Sequence, residues 1–182
     1  VPVRVMHAHV AGSGTLIKKE ERNVEDALIT GIAFAKDESE IMIRGVQDSP
    51  GIAASILGPI GDADIEVDMI VQNVGSDGLA DFTFTVSRKD FNKAIQVIEK
   101  NKKNMNYNDV SATKNIVKVS LIGAGMRSHA GIAGQMFSCL ARKKINIRMI
   151  STSEIKISVV IDQKNLENAV KALHNEFKLE RK

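Results

Sequence analysis

A stretch of this chain occurs twice. Residues 48–73, "DSPGIAASILGPIGDADIEVDMIVQN", and 128–154, "SHAGIAGQMFSCLARKKINIRMISTSE", place Gly51 against Gly131, Ile52 against Ile132, Ile56 against Met136, Leu57 against Phe137, Ile60 against Leu140, Ile65 against Ile145 and Met69 against Met149. Every pair is 80 positions apart. Each copy reads as a short turn, a helix opened by glycine, and a strand that ends in small polar residues. A glycine, a helix-face apolar stripe and a strand in constant register make an internal repeat, which restricts the chain to two units of similar architecture.

The elements around each copy predict what those units are. Ile29 to Ala35 and Ile41 to Val46 read as strands separated by a polar turn, Lys36 to Glu40, as in a hairpin. After the first glycine-opened helix come strands Ile65 to Val71 and Asp81 to Val86, joined through Gly75 to Gly78. A helix with Phe91, Ala94, Ile95 and Ile98 on one face follows, then a weaker strand, Tyr107 to Thr113. The second cycle gives strand Ile116 to Ile122, the helix from Gly131, strands Ile145 to Ile150 and Glu154 to Ile161, and a helix presenting Leu166, Ala169, Val170, Leu173 and Phe177. The fold class is α+β: two ferredoxin-like βαββαβ units, helices on one face of antiparallel sheets. The first unit can be completed in order, whereas little chain follows Phe177. The fourth strand of the second unit is therefore expected from Ile29 to Ala35, which inserts the first unit in the second. Two sequential units would instead leave an incomplete sheet edge, a pairing liability.

Composition narrows the function. With 182 residues, 43% of them hydrophobic, the chain can bury a substantial core. The single Cys139 forms no internal disulfide, and no signal peptide or membrane-length apolar run stands out, so a soluble, cytoplasmic protein without a membrane partner is expected. The net charge of +3 is scattered among 22 acidic residues, and aromatics make up only 4% of the chain, with no Trp. A nucleic-acid binder would gather basic and stacking residues on one surface, so no nucleic-acid partner is expected. His7, His9, His129 and His174 lack metal-ligand spacing, Cys139 reads as a small helix-packing residue, and Gly12-Ser13-Gly14 lacks the Lys-Ser/Thr of a phosphate loop. No catalytic constellation and no metal site is expected in this chain.

Binding chemistry concentrates at the two helix starts. The first N–H groups of a helix have no intrahelical partners and its dipole is positive there, so a carboxylate can dock where glycine leaves room. Asp48 and Ser49 precede Pro50, and Ser49 has a plain reading as a helix cap. Gln72 and Asn73 end the facing strand of the first unit, with Ser151, Thr152, Ser153 and Glu154 at the equivalent end of the second. Such a set suits a free α-amino acid, and equally suits turn residues that satisfy backbone groups.

At these residues the chain resembles the regulatory region of the aspartate kinase family, a pair of ACT domains. The matching segments are "VPVRV" with "GTLI" in residues 1–17, "ITGIA" from Ile29, "DSPGIAA" from Asp48, "VDMIVQN" from Val67, "DFTFTV" from Asp81, "KVSLIGAGMRSH" from Lys118 and "INIRMISTSEIKISVVI" from Ile145. The resemblance implies residues 1–17 as the tail of the amino-acid-kinase domain, 18–28 as linker, 38–113 as the first ACT domain and 29–37 plus 114–182 as the second. The catalytic part would then be missing, the chain being a piece of a longer protein or a separately made regulatory subunit. The family transfers the γ-phosphoryl of ATP to the β-carboxylate of aspartate. ATP and Mg would bind the absent catalytic domain, and this chain would hold no cofactor. Lysine, threonine or both would bind between ACT domains and inhibit, with ACT domains pairing across chains in a homodimer. Carried over by motif, the first effector site would use Asp48, Gly51, Ile52, Ala53, Gln72 and Asn73. The second would use Met126, Ser128, Gly131, Ile132, Ala133, Thr152, Ser153 and Glu154. Ala130 stands where the family usually has proline, which should loosen the second helix start. The rival readings are a ligand-free dimerisation subunit and an RNA-binding sheet, the latter needing aromatics that Ile116 to Ile122 lacks.

Overall fold

The computed structural model describes residues 3–9, 12–17, 29–123 and 131–179. The linker read at 18–28 and the site residues Met126 and Ser128 lie outside them. Within them, six strands form one antiparallel sheet: β3 (Gly31–Gln47), β4 (Val67–Val74), β5 (Leu79–Ser87), β6 (Asp109–Ile122), β7 (Ile147–Thr152) and β8 (Lys156–Asp162), in the order β4-β5-β3-β6-β8-β7. A separate antiparallel ribbon pairs β1 (Val3–Val5) with β2 (Thr15–Ile17).

The sequence predicts a hairpin turn at Lys36 to Glu40; the structure replaces it with continuous strand. β3 runs straight through those residues, and likewise β6 joins the two strands expected at Tyr107 to Thr113 and Ile116 to Ile122. The physical reason is that Glu38 and Glu40 are buried, at 8% and 5% exposure, and each meets a cation from another strand instead of water. The N-terminal part of β3 pairs with the end of β6, from Gly31 opposite Ile122 to Ala35 opposite Lys118, while its C-terminal part pairs with β5 and the start of β6. The first unit is thus inserted in the second, and two long central strands weld the units into one sheet.

Register shifts in β3 and β6, around Ala35, Glu38 and Glu40, keep the two halves facing the same way. Each extra residue inverts the side-chain alternation, so Ile32 before the shift and Ile41 and Ile43 after it all turn toward helices. Helices α1 (Ile52–Asp62), α2 (Phe91–Lys100) and the short α3 (Lys102–Met105) cover Ile41, Ile43, Phe82, Phe84 and Val86. Helices α4 (Ile132–Arg142) and α5 (Leu166–Glu176) cover Val117, Val119, Leu121, Ile157, Val159 and Ile161. Ala94 and Ile98 in α2, and Leu166, Ala169 and Leu173 in α5, are buried as their spacing predicts, while Phe177 falls just past the end of α5 and packs against the core from there. Cys139 is buried in α4, and burial raises its thiol pKa. It should therefore resist alkylation in the folded protein and react with iodoacetamide only as the protein opens, which labelling against denaturant would measure.

The other face of the sheet carries a second, smaller core. Met69 on β4 and Met149 on β7 meet Ile116 and Val160 there, with Val71 beside them. Since β4 and β7 are the two outermost strands, this core draws residues from both edges of the sheet.

Candidate functional site

Both repeated helices start on a glycine that the backbone requires. Gly51 has φ 96° and ψ −6°, and Gly131 has φ 108° and ψ −19°. These are left-handed values that a Cβ makes costly. Neither glycine is needed to relieve crowding, because a Cβ built at either would meet nothing within 4 Å. The helix starts are open, and neither carries a side-chain cap: the reading of Ser49 as a capping side chain is corrected, because Gly51 itself is the cap residue. Ser49 contributes its carbonyl instead, accepting from the Ile52 N–H at 3.1 Å, while Ser55 N–H donates to the Gly51 carbonyl at 3.0 Å. Among the described residues no backbone acceptor takes the N–H of Ala53 or Ala54. Two donors at the positive end of α1 are therefore left without a backbone acceptor among the described residues.

Around the first helix start the fold gathers residues far apart in sequence. Asp48 N–H donates to the Gly78 carbonyl at 3.0 Å, which fixes the end of β3 against the turn between β4 and β5. Gln72, near the end of β4, donates its Nε2 to Asp48 Oδ1 at 3.5 Å. Asp48, Gly51, Gln72 and Asn73 are all exposed, whereas Ile52 and Ala53 are half-buried. Donors for a carboxylate and an acceptor for an ammonium thus lie on one surface.

At the second site Gly131 opens α4 in the same conformation, Ile132 is buried and Ala133 half-buried. Thr152 ends β7, and Ser153 closes the turn into β8, its N–H donating to the Lys156 carbonyl at 2.8 Å and its hydroxyl to the same atom at 3.5 Å. Ser153 is thereby engaged in turn structure, with Glu154 exposed next to it. Met126 and Ser128 lie outside the described residues.

The larger hollows are elsewhere. A groove of about 670 Å³ is lined by Asp37, Glu38, Asp64, Asp68, Thr85 and Lys118 among others, at the opposite end of β4 from Gln72. The outer edges of β4 and β7 have no partner strand among the described residues, and the two strands expose Ile70, Val74 and Ile150.

Sequence reasoning missed the charged interior of the face opposite the helices. Arg148 on β7 grips Glu40 on β3 with two hydrogen bonds, Nε to Oε2 at 3.0 Å and Nη2 to Oε1 at 2.8 Å, and lies 3.6 Å from Asp162. Lys118 on β6 bonds Glu38 Oε1 at 2.9 Å and also Asp68 on β4. The Lys118 hydrogen bond holds the Asp68 carboxyl below its usual value despite partial burial. Burial alone would push Lys118 down, but its bonds to Asp68 and Glu38 outweigh it and raise the ammonium pKa. The depressed Asp68 value stabilises the fold fully above the ordinary carboxylate range, and that contribution is lost as pH falls through its folded pKa. The raised Lys118 value contributes below about pH 10 and is lost as pH rises through its folded pKa. Chemical denaturation across pH should show Asp68→Asn abolishing part of the loss of stability below about pH 4. A signal was available: Glu38 and Lys118, and Asp68 and Arg148, are pairs at the repeat spacing with opposite charge.

Comparison with known proteins agrees with this architecture. ACT domain models match residues 40–102 and 119–177. The aspartate kinase of Stutzerimonas stutzeri is 55% identical over 181 residues, 99% of this chain and 44% of that protein. The aspartokinase of Pseudomonas aeruginosa is 53% identical over 182 residues, with 99% and 44% covered. The chain thus spans 44% of the length of these relatives. Among solved structures, aspartokinase alpha and beta subunits superpose with TM-score 0.79 at 47% identity, covering 83% of this chain and 99% of that one. The ligand-free regulatory subunit of aspartate kinase from Thermus thermophilus gives TM-score 0.78 at 33% identity, with 82% and 99% covered. With its two ACT units in one sheet and a match to its relatives over 99% of its own length, this chain belongs to the aspartokinase family, as the tandem-ACT regulatory region.

Proposed function

We propose that this chain is an effector sensor: it binds free lysine, threonine or both at the glycine-opened helix starts and passes the signal to an aspartate kinase catalytic domain. The observation that carries the reading is the first helix start, where the N–H groups of Ala53 and Ala54, without a backbone acceptor among the described residues, follow closely on Asp48 and its contact with Gln72. A carboxylate docks on the N–H groups of α1, and the α-ammonium takes Asp48 or the Gln72 amide oxygen. Residues Gly51, Ile52, Ala53 and Asn73 complete the first site, with Gly131, Ile132, Ala133, Thr152, Ser153, Glu154, Met126 and Ser128 at the second. The sites take residues from the ends of β4 and β7, whose outer edges are unpaired among the described residues. A second copy adding its strand there would bury Ile70, Val74 and Ile150 and roof the sites, so a homodimer through its ACT units is the binding form.

The catalytic domain phosphorylates the β-carboxylate of aspartate with ATP and Mg bound outside this chain, and effector binding stabilises one arrangement of the ACT units over another. The protein works in the cytoplasm; among the described residues, no helix is long and apolar enough to cross a membrane.

Isothermal titration with threonine and lysine, separately and together, tests the proposal. Saturable heat at millimolar affinity or better from either amino acid, in a dimer that sediments as one species, is the expected result. A folded dimer giving no heat with either would favour the ligand-free dimerisation subunit, a reading that the exposed apolar edge residues also suit.

A further inference from the structure

We propose that the groove beside the start of β4 is a binding site for a linear aliphatic amine carrying two or more ammonium groups, the polyamine class. The groove, of about 670 Å³, is lined by six carboxylates and two lysines, so negative charge is in excess there, although the whole chain has a net charge of +3. Lys118 already shows what such a surface holds: its ammonium bonds Glu38 at 2.9 Å and also Asp68. The carboxylates of Asp37, Asp64 and Glu66 are exposed, with no hydrogen-bond or ion-pair partner among the described residues. Thr85 also lines the groove, at 0% exposure, and its hydroxyl has no partner among the described residues. Phe84 and Val86 on either side pack under the helices, while Thr85 stands in register between Glu40 and Asp68, so its side chain projects to the groove's side of the sheet. A buried hydroxyl without a partner costs stability, and an ammonium, with three donors, can supply one.

The repeat shows that the fold does not require this charge. At the repeat spacing, Asp62 is matched by Arg142, Asp64 by Lys144, Glu66 by Asn146 and Asp68 by Arg148. α4 carries Arg142 in its last turn, where the helix dipole favours a cation; α1 ends on Asp62 with no basic residue in that turn and Asp64 just beyond. Carboxylates at the negative end of a helix break a local rule, and a cation brought there repairs it. A metal ion does not fit, because among the described residues no three acidic, His or Cys side chains converge as ligands. Ammonium groups need no such convergence. Spaced along a methylene chain, they reach separate carboxylates while the half-buried Val67 offers the methylenes an apolar wall. A free amino acid would carry its own carboxylate into the excess negative charge, so the groove selects amines over amino acids. It lies at the opposite end of β4 from Gln72, and neither this site nor the helix starts depends on the other.

Calorimetric titration of the chain with spermidine and with putrescine tests the site. Saturable binding of one spermidine per chain is expected, tighter than that of putrescine because a third ammonium meets a further carboxylate. Asp64→Asn combined with Glu66→Gln, both at exposed side chains, should weaken spermidine by about tenfold. Glu167→Gln, an exposed carboxylate on α5 outside the groove, should change the affinity by less than about twofold. Thr85→Val discriminates further. It should weaken spermidine by about threefold or more, while urea unfolding of the free protein shows stability unchanged or raised, since the hydroxyl has no partner to lose. A side chain of purely structural importance would lower stability and affinity together. Absence of saturable binding would overturn the proposal, as would equal weakening by Glu167→Gln, which marks a diffuse counter-ion effect. Unchanged affinity in Thr85→Val, or displacement of spermidine by equimolar magnesium, would overturn it too.

Discussion

Phe84→Ala should destabilise the whole chain by about 3–5 kcal/mol, and the loss should appear in both units at once. Phe84 is fully buried on β5, edge-on to Phe82 at 6.3 Å between ring centres, under the helices of the first unit. Truncating it removes a ring from a packed site in which neighbours relax only in part. Against a total stability of about 5–15 kcal/mol, the loss is a large fraction. The less obvious half of the expectation concerns the second unit, whose core shares no buried residue with that of Phe84. Two independent domains would unfold separately, the first earlier in the variant and the second unchanged. Here β3 and β6 run through both, and the ion pairs of Lys118 and Arg148 cross between them. Losing the first unit strips β3 of its β5 partner and exposes Glu38 and Glu40, so the second unit should not survive it. Circular dichroism reports the whole chain and the buried thiol of Cys139 reports the second unit. Coincident shifts of both transitions to lower urea are expected in Phe84→Ala. A thiol that stayed protected after most of the dichroism was lost would show that the shared strands do not weld the units together.

The repeat was legible because it rests on spacing. Gly51 and Gly131, the apolar faces of α1 and α4 and the strands after them are all local patterns, and a constant offset between two copies survives substitution at individual positions. The insertion was legible by counting strands, since a unit lacking its last strand must borrow one. The merging of strands at Lys36 to Glu40 was not. A charged run between apolar runs is what a turn looks like, and only the presence of Lys118 and Arg148 across the sheet makes Glu38 and Glu40 acceptable inside a strand. That information is non-local and lies about eighty to one hundred residues away in the chain, where no window of periodicity reaches. The Ser49 cap was misread for a related reason. Ser-Pro-Gly offers two ways to start a helix, and the left-handed glycine displaced the side-chain cap because the chain must turn sharply out of β3. Of the first site's residues, Asp48 and Gln72 could be named from their place in the motif, but their contact follows from the turn at Gly78 that holds the end of β3 against the β4–β5 connection.

Gly51→Val should weaken effector binding at the first site by at least about tenfold and cost about 1–3 kcal/mol of stability, for one and the same reason. At φ 96° and ψ −6° a β-branched side chain clashes with its own backbone, although the space in front of it is empty. Strain therefore cannot be relieved by moving neighbours. It is relieved by rotating the peptide at the helix start, and that rotation turns away the N–H groups of Ala53 and Ala54, the donors assigned to the ligand carboxylate. Gly51→Ala adds a Cβ without the branch, and should fall between the native protein and the valine variant in both measurements. The parallel substitution Gly131→Val should impair the second site while leaving the first helix start unstrained, since the two glycines belong to separate turns. Titration calorimetry with the bound amino acid, beside urea unfolding of the same samples, separates the effects. A valine variant that lost stability as expected yet bound with unchanged affinity would place the ligand elsewhere than the start of α1. Loss of binding with no change in stability would mean that the backbone tolerates the substitution and that the new isopropyl group obstructs the ligand directly, which still locates the ligand at this helix.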